Sequence, residues 1–317
     1  MRSIGSVSRR SRALFRLALG ASVIASLAAL GSPTQARGGP SYTMEILHVQ
    51  VMLDRAHFSP GEIDGHDGSN TRAALEAFRD HRKLSDAAAA QEALAADGTP
   101  AVVEYALSEA DVAGPFEEAI PEDMMAKAQL PSLGYTSPLE ALAEKFHCSP
   151  RLIEELNPGA AFDRAGLRVR VPNVHTALPP PAAKVLVDHS QRAVYSLDAR
   201  GAVLARYPAT MGSAHDPLPV GVWKVTGVFQ NPKFHYNPDL FWDAEAGHAK
   251  ATLPPGPNNP VGVVWIDLSK EHYGIHGTPE PSTVGKTQSH GCIRLTNWDA
   301  AELASMVEPG TVALLQE

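Results

Sequence analysis

Three consecutive prolines, Pro179 to Pro181, divide this chain into two parts with different sequence patterns. Helical periodicities precede them, whereas short β segments separated by turn residues follow them. Because consecutive prolines favour a stiff and extended path, residues 174–183 are expected to be a linker that acts as a spacer. The length of 317 residues suggests two or three domains. We therefore predict a multidomain α+β protein in which residues 184–317 form a mostly-β domain with a sandwich-like or barrel-like core.

Residues 1–36 have the pattern of a secretory signal peptide and not of a folded domain. Five arginines and no acidic residue form a basic region, and an apolar run rich in Ala and Leu follows it. A small-residue cleavage site ends at Ala36, so we expect export to the periplasm or cell wall with cleavage after this residue. An uncleaved anchor is the alternative, although the apolar run is short for a membrane span. Ser8-Arg9-Arg10 partly resembles a twin-arginine signal, which leaves the export route open.

The net charge argues against one class of partner. The whole chain has a formal net charge of −8, and removal of the five arginines takes it to −13. Nucleic-acid binding needs basic patches that contact phosphate, so an acidic mature protein is a poor candidate for it. We therefore expect no nucleic-acid partner.

The two cysteines, Cys148 and Cys292, have different sequence surroundings. An even number of cysteines in an exported chain first suggests a disulfide. Cys148 follows a helical pattern and is expected to be a buried structural thiol. Cys292 stands among the residue types of a reactive site, so we favour free thiols over a disulfide.

Residues 41–85 predict two helices joined by a turn at Asp64-Gly65, with Thr71 as the cap of the second helix. The arrangement of Gln50, the Asp64-Gly65 turn and Thr71 resembles small helical peptidoglycan-binding domains. The resemblance implies binding to the cell wall, and a helical packing module without a ligand is the alternative.

Two further stretches precede the linker. Residues 86–133 are rich in Ala, Glu and Asp and are expected to form weak helices and connectors with a solvated face. Residues 134–173 predict two helices, a break at Asn157-Pro158-Gly159 and an alternating strand. Their order resembles a LysM-like glycan-binding motif, for which a degenerate spacer is the alternative. We expect these N-terminal modules to localise the protein and to contribute little to its chemistry.

One segment near the C-terminus has the residue types of a cysteine-dependent active site. His276 precedes Cys292 by sixteen positions, and Gly291 directly precedes the cysteine. A thiol is a nucleophile only as thiolate, which is a minor form at neutral pH. A nearby imidazole is expected to take the thiol proton and later return it to a leaving amine. Gly291 permits a tight turn, and backbone N–H groups around Gly291 and Cys292 are expected to face a developing oxyanion.

The run Ser-His-Gly-Cys that ends at Cys292, together with His276 upstream, resembles the signature of the L,D-transpeptidases of bacterial cell-wall assembly. The stretches 210–212 and 253–262 also resemble that family's approach to the site. The likeness covers roughly residues 184–316. It implies a cysteine acyltransferase that needs no cofactor and no metal.

The resemblance also implies a substrate, a peptidoglycan tetrapeptide stem. Cys292 would attack the carbonyl of its third residue, a diamino acid, and His276 would protonate the departing D-alanine. An amine on a second stem is the expected acceptor, with a wall lipoprotein or free D-amino acids as further acceptors. Water as acceptor would give an L,D-carboxypeptidase or endopeptidase. A non-catalytic protein that binds wall glycan is an alternative of another class, against which the intact His276 and Cys292 argue.

Five neighbouring residues complete the expected site. Ser289 is expected to cap or brace the cysteine loop, and His290 to orient the site or substrate or to pack under that loop. Arg294, where some relatives have Asn, is expected to lower the pKa of the thiol and to hold a substrate carboxylate. An ordinary salt bridge is its alternative role. Tyr273 and Gly277 are expected to contact the substrate, with core packing as the alternative for Tyr273.

A zinc site is the rival interpretation of the same segment, since His276, His290 and Cys292 are all possible ligands. Their spacing is not that of a zincin or a zinc finger. His290 and Cys292 are only two positions apart, which is awkward for binding one ion. We therefore favour covalent chemistry over a metal centre.

Overall fold

The structure, a computed structural model, describes residues 42–317. The expected signal peptide and its cleavage site lie outside the described residues. Within residues 42–317 no helix has both the length and the apolar character that crossing a membrane requires.

Helices dominate the part of the chain before the linker, as the sequence predicts. These helices are α1 (Met44–Arg55), α2 (Ser69–Arg82), α3 (Ala87–Ala95), α4 (Glu109–Ala113), α5 (Met124–Lys127), α6 (Pro138–Lys145) and α7 (Pro150–Leu156). Two strands accompany them, β1 (Val102–Ala106) and β2 (Arg168–Pro172).

The part after the linker is mostly β, which confirms the expected class of this domain. Its strands are β3 (Lys184–Asp188), β4 (Ala193–Leu197), β5 (Val203–Pro208), β6 (Thr210–Met211), β7 (Gly221–Gln230), β8 (Phe234–Tyr236), β9 (Ala251–Leu253), β10 (Val264–Leu268), β11 (Gly274–His276), β12 (Ile293–Arg294) and β13 (Val312–Gln316). Helix α8 (Asn297–Met306) packs across β10 and β11.

Nine of these strands form one sheet in the order β5-β4-β3-β13-β7-β10-β11-β12-β6. The long strand β7 belongs to both halves, because its first part pairs with β13 and its second part pairs with β10. Buried side chains of the two halves meet in one core, with Val185 and Val194 on one side and Ile266 and Ile293 on the other. The sheet therefore curves around a shared core, in agreement with the expected sandwich-like or barrel-like domain.

The polar residues of the first predicted module form a buried hydrogen-bond network. Gln50 accepts hydrogen bonds from the N–H groups of Asp64 and Gly65, at 3.2 and 2.7 Å. Its amide donates to Thr71 Oγ1 at 3.1 Å. Thr71 is therefore not the cap of α2, because the helix begins earlier, after Gly68. The hydrogen bonds of Gln50 thus join the Asp64-Gly65 turn to α1 and α1 to α2.

Strand β1 lies in the stretch 86–133, for which we expected only helices and connectors. It pairs antiparallel with β2, from Val102 opposite Pro172 to Ala106 opposite Arg168. The expectation was wrong here, because a five-residue strand that packs on only one face has a weak sequence pattern. Most buried apolar residues of this part, from Leu47 to Val174, share one hydrophobic core, whereas Leu133 packs with Tyr236 and Leu253 of the β domain.

The part before the linker packs directly on the β domain. Arg206 of the edge strand β5 donates its N–H to the His57 carbonyl at 2.8 Å, and the Ser59 N–H donates to the Arg206 carbonyl at 2.8 Å. The Arg206 guanidinium is buried in the same contact and donates to the Ser59 carbonyl at 3.2 Å. This pairing covers an edge of the sheet that would otherwise expose unpaired backbone groups.

The linker is fixed at both ends, so the expectation of a spacer is wrong. Arg55 of α1 donates to the carbonyl of His175 at 2.6 Å. At the other end the Ala182 N–H donates to the Met306 carbonyl of α8 at 2.8 Å. The stiffness of the Pro-rich segment does not keep the two parts of the chain apart, because their surfaces pack against each other. The segment can instead run along the contact between them.

Candidate active site

One cleft of about 1110 Å³ contains His276, Cys292 and Arg294. Its walls come from β10, β11 and β12, from the region 229–248, and from residues 122–124 of the part before the linker. The predicted site is thus open to a ligand on one side.

The pairing of short strands brings the catalytic candidates together. Strand β11 lies between β10 and β12 in the sheet. His276 on β11 is in register with Trp265 on β10 and with Arg294 on β12. Cys292 directly precedes β12, and the parallel pairing of β11 with β12 therefore places it beside the strand that carries His276.

The His276 ring is held in one orientation and is 4 % exposed. Its Nδ1 lies 2.6 Å from the Gly277 carbonyl, which can only accept a hydrogen bond, so Nδ1 carries the proton. The ring stacks on Trp265 with the centroids 5.5 Å apart. Nε2 is therefore the nitrogen with the free lone pair. Burial, followed by the positive charge of Arg294, lowers the pKa of His276 to about 3, so the imidazole is neutral at neutral pH.

The Cys292 thiol is held by backbone groups of the turn before β11. Sγ lies 3.7 Å from the carbonyl of His272, to which it donates. Burial raises the pKa of Cys292, whereas the N–H of Gly274 and the charge of Arg294 lower it. The resting site therefore contains a thiol and a neutral imidazole. A nucleophilic attack by this thiol would require the loss of its proton, and a neutral imidazole that can accept a proton lines the same cleft.

The turn before Cys292 requires a glycine. Gly291 has a φ of +95°, and a Cβ added to it would lie 2.7 Å from Cε1 of Tyr273. Ser289 braces the same turn, because its Oγ donates to the Cys292 carbonyl at 2.6 Å. Tyr273 lines the cleft, as expected.

His290 lines the cleft, and its contacts distinguish between the two roles expected for it. Its Nε2 lies 2.8 Å from Oδ1 of Asp243, and its ring contacts Phe241 and Trp242 with centroids 5.0 and 5.6 Å away. These three residues belong to the loop between β8 and β9. His290 therefore fixes that loop over the cleft and does not pack under the cysteine turn.

The Arg294 guanidinium has no ion-pair partner among the described residues. Within residues 42–317 it makes no salt bridge, and its Nε is buried without a hydrogen-bond partner. Burial lowers the pKa of Arg294, and the negative charge of Glu280 opposes this effect. The alternative of an ordinary salt bridge is therefore not what the structure shows.

Residues 182–315 match the family model described as the YkuD L,D-transpeptidase catalytic domain. The chain is 30% identical over 175 residues to a protein of Bacillus licheniformis, YkuD, whose name assigns it to the L,D-transpeptidases. The match covers 55% of this chain and 90% of that protein. The chain belongs to the L,D-transpeptidase family.

Two further relatives carry names of the same family. YkuD of Bacillus subtilis is 30% identical over 55% of this chain and 90% of that protein. YcfS of Escherichia coli is 30% identical over 55% of this chain and 57% of that protein. The family model matches the mostly-β part of this L,D-transpeptidase, whereas the alignments to the three relatives are longer than that part and extend into the residues before the linker.

The three members of the rival zinc set do not bring their ligand atoms together in the described part of this L,D-transpeptidase, and Nε2 of His290 lies 2.8 Å from Asp243. Among the described residues, ligand atoms come together at Asp123, Glu245 and His248, all within 4.8 Å of one another. Nε2 of His248 already lies 2.8 Å from Asp123 and 3.5 Å from Glu245. These residues lie at the rim of the cleft and join the loop before β9 to α5.

Sequence reasoning, which offered Trp265 as a possible wall of the cleft, missed three contacts that support the site of this L,D-transpeptidase. The carbonyl of His272 is a backbone group and leaves no signal in the sequence. The ring stacking of Trp265 on His276 follows from strand register, which the sequence alone does not give. Asn297 is 1 % exposed at the first turn of α8, and a polar residue just after the cap Thr296 is too common to attract notice.

Proposed function

We propose that this L,D-transpeptidase uses Cys292 to take an acyl group from a peptidoglycan tetrapeptide stem and passes it to an acceptor amine. The observation that carries this proposal is a neutral His276, with a free Nε2, in one cleft with the Cys292 thiol and the unpaired Arg294.

The first half of the reaction makes a thioester. His276 Nε2 takes the proton from Sγ while Sγ forms a bond to the carbonyl carbon of the third stem residue. The carbonyl oxygen becomes an oxyanion, which N–H groups at Gly291 and Cys292 would stabilise. When the intermediate collapses, the C–N bond to D-alanine breaks and the leaving amine takes the proton from His276. D-alanine departs, and the acyl group remains on Cys292.

The second half transfers the acyl group. An amine of a second stem attacks the thioester carbon, and His276 takes a proton from that amine. Collapse breaks the C–S bond, and the proton returns to Sγ. The enzyme is then restored with a neutral thiol and a neutral imidazole, the state in which both groups rest.

Arg294 supplies the positive charge that a stem peptide needs for its binding. An unpaired guanidinium on the cleft wall forms strong charge-assisted hydrogen bonds with a carboxylate. Tyr273 and Trp265 also line the cleft. We propose that Arg294 binds a carboxylate of the donor stem while Tyr273 contacts its apolar portion.

We also propose that the enzyme acts outside the cytoplasm, on the cell wall. The support is the basic and apolar pattern of residues 1–36. The part before the linker would add affinity for the wall, as its likeness to peptidoglycan-binding and LysM-like modules suggests.

Incubation of the purified protein with disaccharide-tetrapeptide muropeptides, followed by mass analysis, tests the proposal. We expect a cross-linked dimer that has lost one D-alanine. Cys292→Ala should abolish the product, whereas Cys148→Ala, the matched change at the buried thiol, should retain it. Turnover by Cys292→Ala would refute the role of the nucleophile. A tripeptide product without a dimer would show that water is the acceptor.

A further inference from the structure

We propose that helix α6, which precedes residues 182–315 that match the family model, supports the active site, and that Glu144 is a positioning residue for His276 through Asn297. The inference rests on the proposed role of His276 and goes beyond it. It also replaces the expectation that the part before the linker contributes little to the chemistry.

The first contact joins the two parts of the chain. Both oxygens of Glu144 lie 3.0 Å from Nδ2 of Asn297, which is buried at the start of α8. The amide also donates to the Pro257 carbonyl at 3.1 Å. Its oxygen, Oδ1, accepts the N–H of Val263 at 3.2 Å. These contacts fix which way the amide faces, with its NH₂ group toward Glu144.

The second contact joins Asn297 to the backbone next to His276. A Cβ added to Gly277 would lie only 2.2 Å from Oδ1 of Asn297. The amide therefore packs directly on the Gly277 backbone. The Gly277 carbonyl is the group that accepts the Nδ1 proton of His276 and so keeps Nε2 free. A shift of the Asn297 amide would move this carbonyl, and with it the orientation of the imidazole.

A parallel set of contacts holds the loop before β10. Oε1 of Glu140, one helical turn before Glu144, accepts a hydrogen bond from Asn258 Nδ2 at 2.7 Å. Leu133 is fully buried. Its N–H donates to the Pro255 carbonyl at 3.0 Å, and its carbonyl accepts from the Asn258 N–H at 2.9 Å. This loop leads to residues 260–261, which line the cleft. Helix α6 thus holds two separate backbone segments of the site.

The chemistry of Glu144 suits a residue that is built into an interface. Burial raises the pKa of Glu144 to about 7, while the hydrogen bonds from Asn297 and Tyr135 oppose this rise. In either protonation state a carboxyl oxygen remains to accept from Asn297. Glutamine keeps one such oxygen and the shape of the side chain, so Glu144→Gln is the conservative variant.

Steady-state kinetics on the tetrapeptide muropeptide test the inference in the full chain. We expect Glu144→Ala to lower kcat about 10- to 100-fold with little change in KM, because misplacement of a catalytic group slows the chemical step. Glu144→Gln should recover most of kcat. Two controls should keep kcat, namely Glu154→Ala, which removes an exposed carboxylate from α7, and Ile153→Ala, which lowers Tm from within the N-terminal core. An unchanged kcat in Glu144→Ala, or an equal loss in Ile153→Ala, would overturn the inference.

A charge change tests the contact itself and does not depend on the folding of Glu144→Ala. Asn297→Asp places a carboxylate against Glu144 and should lower kcat at pH 8. Combining it with Glu144→Gln restores a donor at the contact and should recover a large part of kcat. Equal losses in the single and double variants would contradict the proposed coupling.

The alkylation rate of Cys292 by iodoacetamide separates this inference from the proposed function. His276 assists removal of the thiol proton, so Glu144→Ala should also slow the alkylation, located by peptide mapping at Cys292. A wild-type protein that alkylates but consumes no muropeptide would refute the proposed function alone. Alkylation at the same rate in wild type and Glu144→Ala would refute the positioning role.

Discussion

Replacing Gly291 with Ala should damage both stability and activity, and the structure allows the two causes to be separated. The φ of +95° is unfavourable for any residue with a Cβ, at a cost of about 1–2 kcal/mol. The new Cβ would also lie 2.7 Å from Cε1 of Tyr273, and overpacking of this kind costs about 1–3 kcal/mol more. We expect a total loss of roughly 2–5 kcal/mol in the free energy of unfolding.

Gly310→Ala is the matched control for this prediction. Gly310 has a φ of +101°, but no atom lies within 4 Å of the position that its Cβ would take. It should therefore show the backbone cost alone, about 1–2 kcal/mol, and an unchanged kcat/KM. Gly291→Ala should lower kcat/KM about 100-fold, because the turn that presents Cys292 must move.

Urea unfolding gives the stability of both variants, and muropeptide turnover gives kcat/KM at a temperature where both are folded. Tyr273→Ala in the Gly291→Ala background should recover the overpacking part of the lost stability but not the backbone part. Equal destabilisation by Gly291→Ala and Gly310→Ala would refute the close approach of Tyr273. Full activity in Gly291→Ala would refute the role of this turn in presenting the nucleophile.

Four further predictions concern the chemistry of the site. His276→Ala should lower kcat/KM about 100- to 10,000-fold, with a residual rate that rises with pH as hydroxide replaces the base; a flat profile would count against the base. Because the pKa of His276 is about 3, protonation of this residue should not lower the wild-type kcat/KM near pH 6.5 in a pH profile. EDTA should leave turnover intact, and a loss that zinc restores would favour a metal centre. A carbapenem should add covalently to Cys292, as the family likeness implies, and intact-mass analysis without an adduct would weaken the assigned substrate class.

A last prediction concerns stability and pH. Burial, followed by the charge of Asp54, raises the pKa of Asp299 to about 8. The folded state therefore keeps a proton that the unfolded chain loses above about pH 4, so this group contributes stability at low pH that is lost as pH rises toward 8. Asp299→Asn should remove that decline, as measured by urea unfolding at pH 5 and pH 8. A decline that persists in the variant would contradict the raised pKa.

The sequence predicts the reactive segment because its signal is local. His276, Gly291 and Cys292 have residue types and a spacing that need no tertiary information to be recognised, and the alternation after the linker indicated the β domain. The Pro-rich segment also predicts a linker that acts as a spacer. Its role as a spacer was inferred wrongly, because proline restricts the path of the backbone and says nothing about the surfaces on either side.

Tertiary structure decided the protonation of the site residues and the contacts that hold them in place. The neutral imidazole depends on burial and on the charge of Arg294, and its orientation depends on the Gly277 carbonyl. None of these can be seen in the order of residues. Strand β1 and the contact of Glu144 with Asn297 join positions far apart in the chain, which is why local patterns missed them. The sequence by itself thus determined which groups are the candidates for reaction. The packing of one part of the chain against the other decided their protonation and orientation, because desolvation and hydrogen-bond geometry exist only in the folded state.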